Sequence, residues 1–124
     1  MNYGVMMLYL IASGSISRKR TMMKTKCNKT PNADIIGTHK VGQITSTMNQ
    51  LVEVFGKPEP YRGFDEKVTW QWVLTFKEDY RKVIATIYDW KEYDGFGPNT
   101  MITWSIGGHT EMAAQLVHEF MEGK

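Results

Sequence analysis

Cysteine is almost absent: Cys27 stands alone among 124 residues. That excludes an internal disulfide and a cysteine-built zinc site, and it fits a reducing compartment. Long apolar runs are missing too. The longest, Tyr3 to Ala12, is half the roughly 20 residues that a spanning helix requires. A secretion signal carries its positive charge before the apolar stretch, whereas here Arg18-Lys19-Arg20 follows it. No Walker loop, nucleophile elbow or zincin motif occurs. Acid is missing from the first 30 residues, which hold Arg18, Lys19, Arg20, Lys24, Lys26 and Lys29. The other nine bases and all 13 acids lie beyond, a balance of −4.

What is present suits one folded domain. The aromatic content of 12%, with four tryptophans, argues against disorder, and the length suffices to bury a core. The charge split divides the chain into a basic leader, 1–34, and a single mildly acidic domain, 35–124. Thr21 to Asn32 reads as a linker, and the leader is expected to be a disordered tail or a mis-assigned start, with translation beginning at Met22 or Met23. Cys27 falls within it.

Within the domain, Ile44, Met48, Leu51, Val52 and Phe55 trace one helical stripe. Thr47 and Gln50 suit a capping box, although Thr45 or Ser46 would cap equally well, and Gly56 before Pro58 is the expected stop. Val41 to Ile44 suggests a short strand piece. A strand follows in which Val68, Trp70, Trp72, Leu74 and Phe76 alternate with polar residues. Val83 to Trp90 is apolar on both faces until Asp89 and reads as the central strand. Met101 to Ile106 makes the third, and Thr110 to Phe120 the last helix, closed by Gly123. The predicted class is α+β: α-β-β-β-α, a three-stranded antiparallel meander with both helices on one face.

Four places offer chemistry. Gly107-Gly108-His109-Thr110 precedes the last helix, where free amides, two glycines and the helix dipole favour an anion. The same residues also serve as a plain turn with Thr110 as N-cap. Asp89, between Tyr88 and Trp90, offers a ligand hydrogen bond or a general base, or else caps the 91–99 loop. Asp89, Glu92 and Asp94 match no EF-hand spacing, so neither a metal nor a cofactor is expected. His39 and His118 pair with no nucleophile. The sheet face carrying Thr69, Gln71, Thr75, Thr103 and Ser105 has no obvious cover, which suits a partner or self-association, although many antiparallel sheets simply leave one face wet.

The element order is that of double-stranded-RNA-binding domains, but their lysine cluster at the second helix is replaced by Thr110-Glu111-Met112, and the domain is acidic. Nucleic acid is therefore not expected as a partner, nor is a membrane. A different likeness covers Gly42 to Phe120. Gly42-Gln43-Ile44, Phe55-Gly56-Lys57-Pro58, Tyr88-Asp89-Trp90-Lys91 and Ile106-Gly107-Gly108-His109 resemble small, mostly uncharacterised proteins encoded by bacteriophages and other viruses. The resemblance implies a viral accessory protein of the host cytoplasm and implies no activity. Non-catalytic binding to a host protein is the expectation, through the sheet face and the loop after Lys91. The alternatives are a nucleotide-type anion held at Gly107, Gly108 and His109 with Tyr88 or Trp90 stacked on its base, an enzyme using Asp89 and His109, or a double-stranded-RNA-binding-like module whose phosphate contacts would come from the basic leader.

Overall fold

A computed structural model describes residues 25–61, 67–78, 81–92 and 95–123. Six strands and two helices follow one another as β1 (Lys26–Lys29), β2 (His39–Ser46), α1 (Met48–Phe55), β3 (Glu59–Pro60), β4 (Trp70–Glu78), β5 (Arg81–Tyr88), β6 (Ile102–Gly108) and α2 (Met112–Glu122). The sheet order is β1-β4-β5-β6-β2, every pairing is antiparallel, and β3 shares the outer side of β4 with β1. The expected meander is its centre, β4-β5-β6. Three further strands widen it.

The extra strands correct two expectations. The residues 25–34 assigned to the leader belong to the fold, because β1 pairs Cys27 with Phe76 and Lys29 with Leu74. Residues 1–24 lie outside the described residues. Ile44, read both as the end of a short strand piece and as part of the first helix's stripe, is in β2 opposite Trp104. An apolar residue four before Met48 fits a helical stripe as well as a strand face, so spacing alone does not separate them. The helix begins where its capping box dictates: Thr47 Oγ1 accepts from Gln50 N at 3.1 Å, and Gln50 Oε1 accepts from Thr47 N at 3.1 Å. It ends at Gly56, whose φ of 85° only glycine adopts without strain.

Period-two alternation sorts the strands into two faces. Trp72, Leu74, Phe76, Ala85, Ile87, Trp104 and Ile106 point to the helices and are wholly or almost wholly buried. Both helices meet there. Phe55 of α1 and Phe120 of α2 stack with centroids 6.4 Å apart, and Phe76 of β4 contacts both rings. The two central tryptophans keep their polar edges satisfied, Trp72 Nε1 donating to Gly56 O at 2.7 Å and Trp104 Nε1 to Ser46 O at 3.0 Å.

The middle of the other face is not open. β1 and β2 occupy opposite edges, so the chain between them must cross the sheet, and it crosses on the side away from the helices. Thr30 N donates to Val73 O at 2.8 Å, and the Thr30 and Thr75 hydroxyls hydrogen-bond at 2.8 Å. Val73, Thr75, Thr86 and Ser105 are consequently buried.

Candidate functional site

The crossover leaves one cavity beside it. Thr86 and Tyr88 of β5 project into it, flanked in register by Gln71 of β4 and by Gly107 of β6. Gly107 makes room. A Cβ there would strike Thr86 Oγ1 and lie 3.5 Å from Tyr88 Cε1. Ile35, Thr38 and His39 form the crossover wall, and Tyr61, Val68 and Trp90 form the opposite one. The second wall is held by backbone: Tyr61 N donates to Thr69 O and Lys91 N to Lys67 O, each at 2.9 Å. Lys91 adopts a positive φ of 61° at this bend, directing Trp90 to the cavity mouth. The indole is 38% exposed and has two ammonium groups over it, Lys67 Nζ at 5.4 Å and Lys91 Nζ at 6.0 Å. The volume is about 210 Å³, and no acid is among the lining residues.

Of the residues singled out from sequence, this cavity gathers Gln71, Tyr88, Trp90 and Gly107. Asp89 sits on the opposite side of its strand and is fully buried. Its Oδ1 accepts from Thr69 N at 3.0 Å and Trp70 N at 2.7 Å, and its Oδ2 has no partner among the described residues. The segment these bonds cap is the start of β4, not the loop after Lys91 that the sequence suggested.

The Gly-Gly-His-Thr segment is divided. Gly107 and Gly108 are buried inside β6, paired with Thr86 and Ala85, rather than free in a turn. Gly108 is required because a side chain there would strike Ala113 of α2. The helix starts one residue later than expected, with Glu111 rather than Thr110 at its N-cap, and Thr110 Oγ1 accepts only a 3.3 Å bond from Met112 N. His109 and Thr110 face a different recess, of about 380 Å³, with Arg81, Lys82, Val83, Ile84 and Met112.

The proposed partner face is likewise uneven. Thr75 and Ser105 are covered, while Thr69 and Thr103 stay exposed, Thr103 sharing a 3.2 Å hydroxyl contact with Thr45. His118, which pairs with no nucleophile, has Nε2 2.9 Å from Gln43 O on the outer strand. Cys27 is half-buried against the core, and burial pushes its thiol up to about 12, which leaves it a neutral packing group. Among the described residues no group of three His, Cys, Asp or Glu side chains is placed to hold a metal, and no helix is long and apolar enough to cross a membrane.

Sequence reasoning missed Ile35, Thr38, Tyr61 and Thr86 as site residues, set His39 aside for want of a nucleophile and read Val68 only as part of a strand. Thr86 carried a local signal, alternating with Tyr88 on the central strand. Ile35, Thr38, His39 and Tyr61 arrive from other segments of the chain. Comparison with known proteins adds no relative: no family model, curated protein or solved structure matches the chain.

Proposed function

We propose that the protein works by binding a protein partner, without chemistry of its own, and that the aromatic-walled cavity receives one ring from that partner. The observation carrying this reading is the cavity's size together with its lining. Pockets for whole small molecules run to roughly 300–1,000 Å³, whereas a cavity of about 150 Å³ accepts benzene. At about 210 Å³ the space fits a single planar side chain better than a complete nucleotide. Tyr61, Tyr88 and Trp90 supply the apolar contact, and Thr38, His39, Gln71 and Thr86 supply hydrogen-bonding groups. An anchor ring in a desolvated pocket bordered by Trp and Tyr is the usual form of an interface hot spot. A viral origin and a host-cell target enter this reading from the sequence likeness alone.

A random-peptide library selected against the full chain supplies the test. Selected peptides are expected to carry an aromatic residue, and Trp90→Ala should weaken them at least tenfold by fluorescence anisotropy. Met101→Ala removes an equally apolar exposed side chain outside the cavity lining and should leave affinity unchanged. Peptides without rings, binding wild type and Trp90→Ala alike, would overturn the proposal.

A further inference from the structure

The same sheet face carries a second, unrelated feature at its far end. Lys77 of β4 is paired with Lys26 of β1 on one side and with Lys82 of β5 on the other. All three are exposed, and by strand alternation all three project from the face away from the helices. Like charges directly opposite each other in a sheet are destabilising, and here the conflict is doubled. Among the described residues no carboxylate pairs with any of the three. Glu78, next along the strand, is taken by Arg81 and Thr25. Asp79 lies outside the described residues.

We infer that this row binds the phosphate backbone of single-stranded nucleic acid. Three ammonium groups on adjacent strands, each about 4.8 Å from the next, form a line about 10 Å long. A linear polyanion matches a linear cation array. Among the described residues no acid pairs with the row, so the net acidity of the domain does not oppose this. A membrane surface is the less suitable partner, since such faces bury apolar side chains among their cations. Among the described residues, the exposed large apolar side chains, Ile36, Trp90 and Met101, belong neither to the row nor to the recess lining. Lys82 is six residues from Tyr88 along β5, about 20 Å, so the ring cavity is a separate site.

The full chain titrated with a fluorescein-labelled mixed-sequence single-stranded 12-mer, across a potassium chloride series, tests the inference. Binding is expected to weaken with salt. The triple variant Lys26→Gln/Lys77→Gln/Lys82→Gln should bind at least tenfold more weakly at low salt, with the slope of log K against log salt reduced by about 2. Its Tm should be equal to wild type or higher, because repulsion is relieved. Lys77→Gln alone should reduce the slope by about 0.7. Trp90→Ala should bind the oligonucleotide as wild type does, which separates this inference from the partner cavity. Three results would sink it: no binding at low salt, unchanged affinity and slope in the triple variant, or lysine-dependent binding to phosphatidylserine vesicles without oligonucleotide binding.

Discussion

Removing the Asp89 carboxylate leaves two amides, of Thr69 and Trp70, without their acceptor at a fully buried residue. An unsatisfied buried donor costs about 1–3 kcal/mol. Asp89→Ala is therefore expected to lose about 3 kcal/mol in urea unfolding, while Asp89→Asn, which keeps an acceptor oxygen, loses less. Equal losses would show that the two amides find other partners. Cys27 gives a pH prediction. Its native thiol titrates near 12 against an ordinary value of 9.0, so the unfolded chain releases its proton first. Its contribution to stability is complete below about pH 8.5 and is lost progressively as pH rises toward the native value. Cys27→Ala should flatten that alkaline decline, and thiol labelling of the native protein at pH 8 should be slow. The sequence announced a special carboxylate at Asp89 and an unremarkable tail cysteine. Which amides meet the carboxylate, and which core meets the thiol, depend on strand pairings far away in the chain.

Single elements were legible where their signals were local. The Thr47–Gln50 capping box and the Gly56 stop needed only a few consecutive residues, and the structure has both. The junction of β6 and α2 was misread because two adjacent glycines suit a turn and a tightly packed strand equally well. Their reason is steric and lies across the sheet, at Thr86, and in the helix, at Ala113. Gly108→Ala should accordingly cost about 1–3 kcal/mol through overpacking. In a double-mutant cycle with Ala113→Gly, the two changes should couple favourably, because the second removes the methyl that the first strikes. Simple additivity would place the cost elsewhere.

At the scale of the whole molecule, the largest difference concerns the segment 25–38. Composition marks much of it as a linker, yet it supplies an edge strand to β4 and then spans the sheet face. A chain beginning at Ile35, the boundary that charge and composition suggest, would uncover Leu74, Phe76 and Thr75. It is expected to melt at least 10 °C lower than a chain beginning at Met23, or not to fold cooperatively, by circular dichroism. Equal melting would mean that β1 and the crossover are accessory. By itself the sequence determined the α+β class, the central antiparallel meander, one capped helix and most of the buried aromatic face. All of these follow from local periodicity and capping chemistry. Only the tertiary structure decided that the middle of the second face is covered, where the cavity lies and that three lysines align. Those depend on which edge each strand takes, and strand order is set by long-range packing that no local pattern encodes.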